Sequence, residues 1–308
     1  MAALNYATEY ARELAQAYPY TLYFGDIWSA IKPEVKFTDN NTIKLPNLKT
    51  TGRVNGNRDT IGSFSRNFDN DWETKTLSTH RSWGTLVHPR DIDETNKVAS
   101  IANITKVYNE EQKFPEMDAE AISKLYSLKN AQETITGLAN GTITASNVLT
   151  YFDTLMDKMD ENRVPQAGRI LYVDTYTKTM IDTAKDSARF LSATDEEVKR
   201  KLSRIDEVVI KSVPTSLMKT AYTFFAGDES TGQKDGFAVA SDAKDIKMLL
   251  IHLSAVIPAI SYEFAQLDEP STLSQGKYVY YEESFEDLFI YNKKHHAIQF
   301  VVENKKAS

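Results

Sequence analysis

Histidine and carboxylate are the side chains from which this chain could build a reactive centre: it has five histidines, 43 acidic residues and no cysteine. Without cysteine, disulfides, thiolate nucleophiles and cysteine-ligated metals are excluded. His80 and His88 share parity on a strand. At ~3.3 Å per residue they stand ~26 Å apart, too far for one metal unless the strand bends. His295 and His296 are adjacent in a turn and are expected to point to opposite sides. A metal needs convergent ligands, so we expect solvated or partly packed histidines, no metal site and no cofactor. The run DIDET, with Asp91, Asp93 and Glu94, could hold a hard cation, but it lacks the glycine and the closing glutamate of a calcium loop. Carboxylates facing the positive end of a helix explain it better. Phosphate-loop, dinucleotide, zinc-protease and nucleophile-elbow motifs are absent. Met156 and Met159 read as core. No catalytic residue is expected.

Charge and composition narrow the class further. At 308 residues the chain is near the upper limit for one hydrophobic core, so one large or two smaller lobes are expected. A net charge of -7 does not suit a dedicated nucleic-acid binder. The N-terminus lacks the basic and apolar regions of a signal peptide, and no run approaches the ~18 apolar residues of a membrane span. A cytoplasmic protein is therefore expected. Between Lys44 and Arg66 the bases Lys44, Lys49, Arg53, Arg58 and Arg66 face one acid, Asp59, and then Asp69, Asp71 and Glu73 follow at once. Such mixed charge suits docking against another protein more than phosphate. A floppy solvated loop is the competing reading.

The elements that must position these groups are only partly regular. Residues 4–18 suggest an amphipathic helix, and 42–49, TIKLPNLK, a strand that Pro46 places at a sheet edge. The polar stretch 51–71, TGRVNGNRDTIGSFSRNFDND, separates it from a second extended segment, 72–87, making a candidate projecting hairpin. Val98, Ile101, Thr105 and Tyr108 recur at helical spacing. Pro115 is expected to interrupt that helix and Asp118 to cap a second piece carrying Ile122, Leu125 and Tyr126. A helix from Thr144 buries Val148, Tyr151, Phe152, Leu155, Met156 and Met159 at i, i+3, i+4, i+7 spacing. Strands are expected at 169–173 and 207–213, with a helix at 176–188 and a capping box of Thr194 and Glu197 between them. A glycine- and aspartate-rich loop, 226–245, precedes a buried strand and its continuation from Ile246. A turn at 292–296 is expected to make 285–291 and 297–302 a hairpin. The class is α+β.

The ordered series TIKLPNLKTTG, the glycine-rich stretch, WETKTLSTHRSWGTLVHPRDIDETN, KFPEMDAEAISKLYS, VPQAGRILYVDTYTKTMI, RIDEVVIKSVP and FEDLFIYNKKHHAIQFVV resembles the major capsid proteins of tailed bacteriophages, with the Hong Kong 97-type fold. The resemblance runs from about residue 4 to 303 and has no single diagnostic motif. It implies an N-terminal arm (1–38), an extended hairpin loop (39–88), a peripheral domain with a spine helix (89–143), an axial domain (144–275) and closing strands that return to the peripheral domain (276–308).

It also implies that the hairpin lies across a neighbouring subunit. From Asn47 to Asp71 the large apolar residues are Leu48, Val54, Ile61, Phe64 and Phe68, too few to offset ordering at ~1–2 kcal/mol per residue. A partner surface supplies the missing burial. Lys49, Arg53, Asn57, Arg58, Ile61, Phe64, Arg66 and Phe68 are the expected contact residues, with Tyr18, Tyr20 and Tyr23 of the arm. The arm aromatics, with Phe24 and Trp28, serve equally well as packing on their own subunit. The implied function is self-assembly into pentamers and hexamers of an icosahedral or prolate head shell around phage dsDNA, touched non-specifically. The implied partners are further copies, with portal, scaffolding and decoration proteins, and no membrane. The implied location is the virion, assembled in the host bacterial cytoplasm. An encapsulin-type cellular compartment is the alternative. A third reading, an enzyme with a lid at 51–71, predicts convergent titratable groups beneath that lid.

Overall fold

In a computed structural model of the chain, residues 21–30, 36–39, 42–53, 55, 66–94, 100–135, 142–190, 204–205, 208–227 and 235–303 are described. The helix expected over 4–18 and the capping box at Thr194 and Glu197 lie outside them.

After a single helical turn, α1 (Gly25–Trp28), the strands β1 (Lys36–Asp39), β2 (Thr42–Thr50) and β3 (Phe68–Thr76) form an antiparallel sheet. β2 and β3 pair in one unbroken register from Thr42–Thr76 to Thr50–Phe68, so the projecting hairpin is present. β2 is its middle strand, not an edge. Among the described residues β1 pairs with β2 only as far as Lys44, and Pro46 pairs with Trp72 of β3.

The extended segment expected at 72–87 is two strands in two sheets. β3 ends at Thr76, and β4 (Thr79–Val87) begins after a two-residue break. Leu77 is buried there, and the Ser78 amide and hydroxyl both donate to the Asp287 carboxylate at 3.0 and 2.9 Å. These contacts turn the chain out of the hairpin.

α2 (Pro89–Glu94) carries Asp91 in its first turn, in line with the helix-terminus reading of the acidic run. α3 (Ile101–Tyr108), capped by Ser100, runs through one π turn (Asn109–Lys113) into α4 (Phe114–Gln132). Together they make a helical rod of ~48 Å. Pro115 does not break it. The π turn immediately before Pro115 widens the helix where its ring and missing N–H would otherwise conflict with the preceding turn. Asp118 does not cap a second piece either. It is fully buried inside α4 and accepts the Tyr23 and Phe24 amides at 2.9 and 3.0 Å, fixing the start of α1.

α5 (Val148–Glu161) leads into β5 (Arg169–Asp174), α6 (Thr175–Phe190), β6 (Arg204–Ile205) and β7 (Val208–Val213). β8 (Tyr222–Phe224) pairs with β9 (Phe237–Val239), and β9 interrupts the loop expected at 226–245. β10 (Asp245–His252), β11 (Val256–Asp268), β12 (Tyr278–Ile290) and β13 (Ile298–Glu303) complete the chain. One sheet has the order β13-β10-β5-β7-β6, and another β11-β12-β4. β5 and β7 are parallel across α6.

Alternate residues of β10 face two cores. Leu249 and Ile251 meet Ile122 and Leu125 of α4, while Met248 and Leu250 meet Phe152 and Leu155 of α5 and Ile181 of α6. The hairpin expected from 285–291 and 297–302 does not form. A six-residue 3-10 helix, Asn292–Ala297, carries the chain from β12 in one sheet to β13, which pairs with β10 in the other. NKKHH has no glycine to supply a tight hairpin turn, and all five residues of IQFVV are buried, as an alternating hairpin strand would not be. Among the described residues no helix is long and apolar enough to cross a membrane.

Candidate functional site

The hairpin carries two different faces. The odd residues Ile43 and Leu45 are buried at its base with Leu77, Ile257, Ala259 and Phe289. On the other face, paired residues share one side, so Pro46, Leu48 and Thr50 lie with Trp72, Asn70 and Phe68. There Leu48 is 59% exposed, Phe68 54% and Trp72 50%. A stripe of about half-exposed apolar side chains therefore runs outward along the ribbon. Arg66 closes it: the guanidinium sits 4.8 Å from the Phe68 ring, and Nε donates to the Phe68 carbonyl.

Of the expected contact residues, Lys49, Arg53, Arg66 and Phe68 are exposed on or beside this ribbon. Asn57, Arg58, Ile61, Phe64, Tyr18 and Tyr20 lie outside the described residues. Tyr23 packs against the α4 core, Phe24 is fully buried 4.9 Å from the Tyr172 ring, and Trp28 is buried too. These three aromatics therefore serve their own subunit. Leu48 and Trp72 belong to the exposed stripe although the sequence reading did not select Trp72. The period of two from Pro46 to Thr50 and from Phe68 to Trp72 was the signal that would have found it.

The base of the ribbon is stapled to the long helix. Lys124 donates to the Ser78 hydroxyl at 2.9 Å and pairs with buried Asp287 at 3.0 Å. One turn earlier, Glu120 accepts from the Thr79 hydroxyl. Burial pushes the Glu120 carboxyl up to about 8, and the charges of Glu286 and Asp287 add to this against the opposing Thr79 hydrogen bond and Lys124. Below its ordinary value, near 4.5, folded and unfolded chains both hold this proton. Between 4.5 and about 8 the unfolded chain has released it and the folded one has not, so stability falls as pH rises through that window and levels off above it. Glu120→Gln is expected to flatten the slope and to stabilise the chain by ~1–3 kcal/mol at pH 8, read from urea unfolding at three pH values. An unchanged slope would remove Glu120 as its source.

A cleft of about 770 Å³ opens between β4, β12 and the π turn. Several of its ionisable groups engage one another. Arg81 is bidentate on Glu116 at 2.5 and 3.0 Å, and Lys113 meets Glu282 at 3.0 Å. His80 stacks on Phe285 and lies 3.6 Å from Glu283, and Trp83 stacks on Tyr108 at 3.9 Å. Such pairing bolts the helical rod to the sheet. His88 is in other surroundings, where its Nδ1 accepts the Arg90 amide. His295 and His296 do not point apart as expected. The 3-10 helix brings their rings to 3.8 Å.

A projecting two-stranded ribbon, a long helix crossing one sheet and a second helix-covered sheet make up the Hong Kong 97-type fold. No protein-family model matches the chain, and no curated protein matches it. Solved structures do. The capsid of the cyanophage P-SCSP1u aligns with a TM-score of 0.69 at 10% identity, covering 96% of this chain and 92% of that one. The mature capsid of bacteriophage PhiM1 aligns at 0.67 and 12% identity, covering 97% and 92%. The capsid of a native GTA particle aligns at 0.59 and 13% identity, covering 97% and 95%. At such identities the likeness is one of fold.

Proposed function

We propose that the chain is a major capsid protein whose copies assemble into pentamers and hexamers of a head shell around double-stranded DNA. The observation that carries this reading is the half-exposed stripe of Leu48, Phe68 and Trp72 on a ribbon projecting from a fold matched end to end by capsid subunits. The stripe on one copy and the surface it covers on the next are different patches, and such a heterologous contact closes into rings when its rotation divides the circle. Many weak contacts per shell then sum to a stable whole. With a net charge of -7, contact with the packaged nucleic acid is non-specific and salt-sensitive.

In this reading residues 1–38 are the arm, 39–88 the extended loop, 89–143 the peripheral domain, 144–275 the axial domain and 276–308 the closing strands. β12 serves the three-stranded sheet and β13 the five-stranded one. Portal, scaffolding and decoration proteins are the expected partners, and the virion, assembled in a bacterial cytoplasm, the expected location. Negative-stain microscopy of the purified chain tests the proposal. Particles, tubes or capsomer rings are expected. A compact monomer by light scattering at every concentration and salt would overturn it.

A further inference from the structure

We propose that Glu133, His295 and His296 form a binding site for a divalent transition metal of the zinc type. One donor atom from each of the three lies within 4.8 Å of the other two. In a tetrahedral zinc site, with bonds of about 2.1 Å, ligand atoms stand about 3.4 Å apart. The farthest pair therefore has to close by at most about 1.4 Å, within reach of side-chain rotation.

The fold explains why two neighbouring histidines converge. On a strand they would face opposite sides. The 3-10 helix Asn292–Ala297 advances only about a third of a turn per residue, and it sets the two rings 3.8 Å apart and tilted by 42°. It also brings them to the C-terminal end of α4, where Glu133 leaves the helix with extended backbone. The Nδ1 atom of His296 is 3.9 Å from Glu133 Oε2.

The surroundings prepare the ligands. Nδ1 of His295 lies 2.6 Å from the Asn292 carbonyl, which can only accept, so Nδ1 carries the proton and the Nε2 lone pair is free for a metal. A ligating histidine is commonly oriented by such a bond from its other nitrogen. The Asn292 side chain is itself held by Lys75 and Gln132, each at 3.2 Å. Glu133 Oε2, the oxygen that faces His296, also accepts from the buried Lys129 at 2.6 Å, so a metal would take that oxygen's second lone pair or the other carboxylate oxygen. The lysine charge opposes a hard cation bound by carboxylate alone, while two imidazoles favour zinc, nickel, copper or cobalt over magnesium or calcium. Three protein ligands and a water complete four-coordination on a surface open to solvent. The bound metal would tie the end of the long helix to the connector between the two main sheets. None of this depends on whether the chain builds a shell.

Cobalt(II) titration of the full-length chain tests the site. One equivalent is expected, with the visible absorption of a four-coordinate centre, displaced by zinc and untouched by excess magnesium. Glu133→Gln and His296→Ala should each weaken binding at least about tenfold, and His80→Ala should leave it unchanged. Undiminished binding in a folded His295→Ala/His296→Ala variant, or displacement by magnesium, would overturn the proposal. The unaltered chain supplies a second readout. Zinc should shield His295 and His296, and not His80 or His88, from acylation by diethyl pyrocarbonate, mapped by mass spectrometry. Equal acylation with and without zinc counts equally against the site.

Discussion

Replacing Phe68 and Trp72 together by serine is expected to leave a folded chain that no longer assembles into the proposed shell. Both side chains stand on the open face of the ribbon, about half exposed, and neither belongs to a buried core cluster. Surface substitutions of that kind change the stability of a single chain by roughly 0.5 kcal/mol or less. Across a subunit contact the arithmetic differs. Burying a large apolar side chain contributes ~1.5–3 kcal/mol, so losing two half-exposed aromatics removes about 3 kcal/mol from every contact. That is on the order of a hundredfold in each association constant, repeated at every such contact of the proposed shell. Unchanged far-UV circular dichroism and melting, with a shift from particles to free subunits on size exclusion, is the expected pair of results. Normal shells from the double variant would show that the stripe is not an assembly contact.

Arg169→Leu should destabilise the subunit itself by ~2–4 kcal/mol. Arg169 opens β5 and is 1% exposed. Its guanidinium donates to the Pro165 and Val164 carbonyls at 2.9 and 2.6 Å and to Asp160 at 2.6 Å, and it lies 3.4 Å from the Met156 sulfur. One side chain thus organises the whole link between α5 and β5. Lysine cannot replace it, because an ammonium lacks the planar fork that reaches three acceptors at once. A urea midpoint for Arg169→Leu or Arg169→Lys within 0.5 kcal/mol of the parent would refute this role.

Local periodicity made the elements legible. The stripe from Val148 to Met159 marks α5, RILYV marks β5, and Pro214 marks the end of β7. Their order along the chain carries the resemblance to the Hong Kong 97-type fold. What periodicity could not supply is which element meets which. The expected hairpin across 292–296 failed because β12 and β13 each have better partners, in β11 and β10, than in one another. The single segment expected over 72–87 divides because Asp287, 209 residues further on, takes both hydrogens of Ser78. Pro115 is harmless because a π turn absorbs it, and no residue pattern announces a π turn. At the ribbon, charge marks Lys49, Arg53 and Arg66 in the sequence, whereas nothing in its residue type marks Trp72 as exposed. A half-exposed tryptophan reads like core until its strand partner is known.

The break at Leu77–Ser78 makes the ribbon a lever with a fixed fulcrum. Because Glu120 and Lys124 grip the two sides of that joint, a load applied at the ribbon's outer end is delivered to two points one turn apart on α4. The same joint is tied to β12 through Ser78 and Asp287, so the helix and the sheet receive the ribbon's load together.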